Sequence, residues 1–361
     1  LLLLAGCAGS GSTAAPTLTV ESSYPLQYAK QFTVDECTGG YELITIADSQ
    51  YLVVPQGAAV PEDLPQGTTV LQQPIENIYL VSTSAMDPII SLGALDSIAL
   101  SGTKADGWYL PEAKAAMQAG QIAYAGKYSA PDYETILASG CGLAIENTMI
   151  YHTPEVKEQL EKFGIPVLVE RSSYETDPLA RMEWVKLYGI LLGKKQEAEQ
   201  LFDTQVQRVA PLENQQPTGK TVAFFSITSN RLATVRKGND YVARMIEMAG
   251  GDYAFADLTD NGNNLATVNL SLENFYAGAK DADVLIYNST IEGEVDSLAA
   301  LLEKCPLLAD CKAVQQGNVW CTAQSLFQQS MELPDLILDM NRVFTQENPP
   351  ESELKFLTKI E

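Results

Sequence analysis

Apolar and polar positions fall into three kinds of pattern along the chain. Between residues 24 and 55, β-rich runs alternate with turn residues. Phe32 to Cys37 and Tyr41 to Ala47 flank Thr38-Gly39-Gly40, a hairpin signal, and Tyr51 to Pro55 reads as a further strand. From Glu76 the pattern changes. Strand-like runs at 77–81, 98–100, 122–124, 143–145 and 166–170 are separated by helical patterns at 86–92, 111–119 and 154–163. That alternation predicts a mostly parallel sheet flanked by helices. After the polar Glu213-Asn214-Gln215-Gln216-Pro217 it restarts, with strands at 222–227, 283–287 and 318–321 and helices at 239–249, 295–302 and 334–344.

The third pattern joins these two stretches. Asp177 is a good N-cap and Pro178 suits the first helical position. Leu179, Met182, Val185, Tyr188 and Leu192 recur at three- and four-residue spacing, and Leu201 and Val206 continue the stripe. Unbroken to about Val209, such a helix would span about 45 Å, with Gly189 and Gly193 as local weak points. The expected class is therefore α/β, with two αβ lobes of mostly parallel sheet joined by one long rigid helix. The expected segments are 1–16, a signal remnant and tether; 17–176, an N-terminal lobe; 177–211, the linker helix; and 218–361, a C-terminal lobe.

Length and charge narrow the partners. With 361 residues each lobe can bury its own core. A net charge of −23 argues against nucleic acid and against generic attraction to anionic lipid. There is one histidine, His152, so a multi-histidine metal site is excluded and Ser-His-Asp chemistry would need that residue. No CxxC spacing occurs, and the state of Cys37, Cys141, Cys305, Cys311 and Cys321 stays open. The N-terminal Leu4-Ala5-Gly6-Cys7, after an apolar run and before a Gly/Ser/Thr/Ala stretch, resembles a bacterial lipobox, which implies export and a lipid on Cys7.

In parallel sheets ligands lie outside the carboxyl ends of the strands. The loops there carry Met86, Lys104, Trp108, Tyr109, Arg171 and Tyr174, and the second lobe adds Arg231 and Arg236 beside Lys237 in an otherwise acidic chain. Aromatic rings, a thioether and cations together suit a bulky conjugated ligand with negative charge. A weak internal repeat is also present. Residues 130–138 and 269–277 each read as a polar cap, a glutamate in the first helical turn, spaced apolars and an alanine, shortly before an apolar strand. Each lobe would thereby present one exposed carboxylate, Glu134 and Glu273, favoured by the helix dipole.

With these residues in view the chain resembles the substrate-binding lipoproteins of iron-complex and cobalamin ABC importers, the class III, helical-linker family. The marks are Leu4-Ala5-Gly6-Cys7, the turn 82–87 with Leu92-Gly93-Ala94, the two glutamate-bearing helices and Asp177-Pro178. The resemblance implies a monomer tethered at Cys7 outside the cytoplasm. It would have no catalytic role and no resident cofactor or metal, and it would bind a small-molecule metal complex in the inter-lobe cleft. Glu134 and Glu273 would dock onto the permease dimer. A ferric siderophore is the expected ligand, with cobalamin or another corrinoid, or haem, as alternatives in the same fold. The strand-rich stretch before Asn77 departs from the family pattern. A lipid-anchored hydrolase with paired carboxylates is the alternative from another class, although an inverting pair must lie within about 9.5 Å and these two glutamates lie in different lobes.

Overall fold

A computed structural model describes residues 16–259 and 265–361; Cys7 lies outside them. Residues 20–72 build a sheet of their own: β1 (Val20–Ser23), β2 (Phe32–Cys37), β3 (Tyr41–Ile46), β4 (Ser49–Val54) and β5 (Thr69–Gln72), in that order. Pairing is antiparallel except between β4 and β5. Phe32, Val34, Ile44, Ile46 and Tyr51 join the main core, while Cys37, Tyr41, Leu43, Leu52 and Val54 form a small second core with Ala58 and Leu64. Both faces are thus covered, which explains the near-continuous apolar runs. The stretch expected to hold one αβ lobe therefore holds two separate sheets, and this first one departs from the mostly parallel expectation.

The second sheet follows the βα alternation. Its elements are β6 (Ile78–Leu80), α1 (Met86–Ser91), β7 (Ile98–Ser101), α2 (Pro111–Gln118), β8 (Ala123–Tyr124), the small ladder β9 (Gly126–Lys127) and β10 (Ala130–Pro131), α3 (Tyr133–Ala138), β11 (Ala144–Glu146), α4 (Pro154–Lys162) and β12 (Val167–Val169). The order is β12-β11-β6-β7-β8, and every pairing is parallel.

The connecting segment is two helices, α5 (Pro178–Leu191) and α6 (Lys195–Val209), which corrects the single long helix. Gly193 has φ +68°, the left-handed conformation that ends a helix, and Lys194 N–H bonds back to Gly189 O at 2.7 Å. The helices then cross so closely that a Cβ on Gly189 would lie 2.4 Å from Ala198 Cβ. Of the fourteen residues of α5, thirteen are buried and only Arg181 is not. A helix buried all round is an interior element, so α5 is a core helix between the lobes, about 21 Å long.

The C-terminal lobe contains β13 (Thr221–Ile227), β14 (Leu232–Arg236), α7 (Tyr241–Met248), β15 (Asp252–Tyr253), β16 (Thr267–Ser271), α8 (Leu272–Ala279), β17 (Val284–Tyr287), α9 (Ser289–Glu292), α10 (Leu298–Lys304), α11 (Lys312–Gln315), β18 (Val319–Thr322), α12 (Leu333–Thr345) and β19 (Leu357–Lys359). The sheet order is β16-β14-β13-β17-β18-β19, with β15 also beside β13. Its centre, β13-β17-β18, is parallel as expected, whereas β14, β16 and β19 add antiparallel edges. Among the described residues no helix is long and apolar enough to cross a membrane, and the five cysteines there are free.

Candidate functional site

The lobes meet where the strand ends of each face the other. Gln328 donates through Nε2 to Gly107 O and accepts from Tyr109 N–H, both at 2.8 Å. Ser330 Oγ donates to Ser84 O at 3.0 Å, and Met331 N–H to Asp87 Oδ2 at 2.8 Å. Burial pushes Asp87 up to about 7 despite that hydrogen bond.

Two cavities of about 360 Å³ each are found here, one lined by both lobes and one by the C-terminal lobe alone. The first is lined by Arg171, Tyr174, Glu175 and Thr176 after β12 and by Lys237 and Asn239 after β14. The second lies over the C-terminal sheet, where Ser226, Thr228, Thr234 and Thr267 surround Arg236 and Asn288. The two adjoin through consecutive residues, Arg236–Lys237 at the end of β14 and Ala266–Thr267 at the start of β16.

Two guanidinium groups on these linings, and a third packed behind them, lie on aromatic rings. Arg171 sits 4.4 Å from the Tyr174 centroid, Arg181 3.6 Å from Tyr241, and Arg236 4.8 Å from Phe327 and 5.9 Å from Tyr241. Arg181 is held by Glu175 O at 3.1 Å and Ser173 O at 2.7 Å. Arg236 lies 3.7 Å from Asp240 Oδ2. Burial pushes the Tyr241 phenol above its ordinary range, with Arg181 and then Arg236 pulling the other way. The phenol is therefore neutral and offers its ring face to the cations.

A larger cavity, about 440 Å³, lies by the end of α6 and α7. Its charged lining is Asp177, Glu213, Glu247 and Asp252 against Arg244 alone, and Arg244 is 3.8 Å from Asp177 and 2.6 Å from Glu247. Such a lining repels anions, so size does not make it the functional site.

Of the residues expected to bind, Arg171, Tyr174 and Arg236 are brought together. Met86 and Trp108 are not; both are core residues, at 0% and 1% exposure. The 3₁₀ turn 105–107 returns the Trp108 indole to Ser101 Oγ at 3.2 Å, so it forms no wall of the cleft. Lys104 is exposed and caps the Tyr124 ring at 5.5 Å, away from either cavity lining. Tyr109 is half exposed at the lobe contact. Arg231 does not cluster with Arg236. It occupies a turn at φ +59°, and β14 then separates the two by about 16 Å at 3.3 Å per residue. Arg181, Tyr241 and Phe327 pack against residues of the cavity linings without any signal in the sequence pattern.

The two glutamates are presented alike. Asp132 caps α3 by accepting Thr135 N–H at 3.1 Å, and Ser271 caps α8 by accepting Asn274 N–H at 3.2 Å. Glu134 and Glu273 each stand two residues past the cap and are exposed. They belong to different lobes.

Comparisons with known proteins bear on this arrangement. The sequence profile described as "periplasmic binding protein" matches residues 80–325. An uncharacterized lipoprotein of Methanocaldococcus jannaschii is 27% identical over 248 residues, covering 66% of this chain. The match spans 56% of that relative, little more than half its length. The crystal structure of a periplasmic haem-binding protein of Vibrio cholerae superposes with a TM-score of 0.58 at 18% identity, over 73% of this chain and 97% of that one. An Fe3+-hydroxamate transport protein of Saccharomonospora viridis gives 0.56 at 20% identity, over 75% and 94%.

Proposed function

The chain belongs to the periplasmic binding protein family, and from that premise we propose that it captures an anionic iron complex, a ferric siderophore first, between its lobes and delivers it to an ABC importer. The observation that carries this reading is the pair Arg171 and Arg236, each on an aromatic ring and each on a cavity lining, contributed by the N-terminal and the C-terminal lobe. Cations on both lobes give an anion that spans the cleft a reason to hold the lobes together. Tyr174, exposed on the first cavity, offers apolar ring surface to a conjugated chelate.

The test is a thermal-shift screen of ferric hydroxamates, ferric catecholates, haemin and cyanocobalamin. A ligand at 100-fold excess over its Kd stabilises by about 2.7 kcal/mol. An anionic ferric chelate is expected to give the largest shift. Each of Arg171→Ala and Arg236→Ala is expected to cost about 1.5–3 kcal/mol of its binding, roughly ten- to a hundredfold. A largest shift with cyanocobalamin, unaffected by either substitution, would remove the anion reading.

Haem is the second reading. Met149, Tyr151 and Tyr174 stand exposed on the N-terminal lobe and supply candidate axial groups. A Soret shift on adding haemin, lost on substituting one of the three, is its signature.

Glu134 and Glu273 are proposed to seat the permease, one per lobe, and Cys7 to carry the lipid that keeps the exported protein at the membrane. Reversing both charges, Glu134→Lys with Glu273→Lys, is expected to weaken association with the importer more than tenfold while ligand affinity stays unchanged. Intact association would sink the docking role.

A further inference from the structure

The residues before the family match do more than add a sheet, because the strap 26–31 between β1 and β2 runs back to the cleft. We propose that Gln31 on this strap is a positioning residue for ligand: it aims Arg171 into the cleft, while the strap's backbone withdraws Glu175 from it. The proposal rests on reading the cleft as an anion site.

Gln31 Oε1 accepts from both Arg171 Nε, at 3.4 Å, and Nη2, at 3.3 Å. Arg171 Nη1 donates to Tyr151 OH at 3.4 Å, and the guanidinium plane lies over Tyr174. A guanidinium has five N–H donors. Three are engaged, on Nε, Nη1 and Nη2, which leaves one on each terminal nitrogen. Those two donors remain for a carboxylate or other planar oxyanion, a group that guanidinium takes in two-point fashion. Without Gln31 the side chain could swing about its long stem and present any of its edges.

Glu175 lines the same cavity and is buried. Left free, its carboxylate would be a natural partner for Arg171 and would cancel the charge a ligand needs. Instead Oε1 accepts Lys30 N–H at 2.9 Å, Gln31 N–H at 2.8 Å and Trp184 Nε1 at 3.2 Å, and Oε2 accepts Lys30 N–H at 3.2 Å. The strap thus does two things with neighbouring residues. It occupies the carboxylate and fixes the cation.

The experiment compares Gln31→Ala and Gln31→Glu with the native protein. The ligand-free readout is the ¹⁵N spectrum of arginine Nε–H groups, with the Arg171 signal assigned by its loss in Arg171→Lys. In Gln31→Ala that proton is expected to exchange with water at least about tenfold faster, since a bound donor becomes exposed. An unchanged Arg171 signal and exchange rate overturns the proposal whatever any ligand does. The second readout uses haemin, a dicarboxylate, as the probe. Gln31→Ala is expected to weaken its binding about fivefold, and Gln31→Glu, which places a carboxylate on the guanidinium, about tenfold or more. Neither change should matter in an Arg171→Ala background. Equal losses with and without Arg171 would show a general structural effect and overturn the positioning role. Native protein that binds no haemin would count against the haem reading alone, and the exchange measurement would still decide between the outcomes for Gln31.

Discussion

Replacing Glu183 by methionine is expected to destabilise the protein by about 3–5 kcal/mol or more, a large fraction of the stability of any single domain. Glu183 is fully buried on α5 and accepts three backbone N–H groups of the strap. Gln27 donates at 2.8 Å, Tyr28 at 2.7 Å and Ala29 at 2.8 Å. It also takes Lys186 Nζ at 2.7 Å, and that ammonium has only 5% of its side chain exposed, with the Phe202 ring 4.4 Å away. Removing the carboxylate leaves a buried cation and three part-buried donors without their acceptor, which adds to the cost. Lys186→Met removes only the cation, so its cost should be smaller. The double variant should be less damaged than Glu183→Met alone, because the stranded ammonium is gone, yet still worse than Lys186→Met, because the strap's N–H groups remain unmet. Urea denaturation of the four proteins measures this. Equal stability of Glu183→Met and Lys186→Met would show that the strap contributes nothing.

The second large effect is a loss of stability as pH rises, and it centres on Glu146 at the end of β11. Both of its carboxyl oxygens are buried without a hydrogen-bond partner among the described residues. They lie on the sheet face where Ala144, Ile136, Ile150 and Val169 pack. Burial pushes the group from 4.5 up to about 8, so it folds as the neutral acid. A carboxyl whose folded pKa lies above its unfolded value favours the folded state fully below the unfolded value. That contribution fades as pH rises towards about 8, because the unfolded chain ionises first. Between pH 5 and pH 8 the loss should be on the order of 3–4 kcal/mol at 1.36 kcal/mol per unit. Asp87, raised to about 7, adds to it in the same direction. Glu146→Gln, which cannot ionise, should remove most of the slope and melt higher than the native protein at pH 8. Calorimetric melting at pH 5, 6, 7 and 8 tests it; parallel slopes for the two proteins would refute the assignment.

Much of the framework is legible in the sequence because short apolar runs flanked by turn residues have few alternatives. The strands at Ile78–Leu80, Val167–Val169 and Val284–Tyr287 fall inside the runs that signal them. The capped helices carrying Glu134 and Glu273 are readable because a cap is a local interaction of three or four residues. What escapes the sequence is long-range. In the local pattern Gly193 is a tolerable flaw in one helix. Only the packing of Ala198 against Gly189 makes a sharp turn there favourable, and no local pattern contains that contact. Leu232–Arg236 has a strand's alternation, yet it hides within an apparent loop because it begins one residue after a positive-φ turn at Arg231.

The site shows the same division. Strand-end position identifies Arg171 and Tyr174, since topology alone puts such loops at the cleft. It misleads for Trp108, whose loop turns the ring inwards. Arg181 has no signal of its own; it is one polar residue in an apolar helix, and its direction is set by Tyr241, sixty positions later. The usable hint is indirect, because a lone arginine among core residues on α5 must find either solvent or a specific partner.

The clasp between residues 26–31 and α5 also has a consequence for how the molecule can be divided. Residues 80–325 account for the whole family match, and they look like a natural unit to excise. Yet cutting there would strip two inward-facing acid groups, Glu175 and Glu183, of the main-chain donors that meet them and would lay bare the apolar walls around them. In this chain the matched centre leans on the residues ahead of it to meet its inward-facing acids.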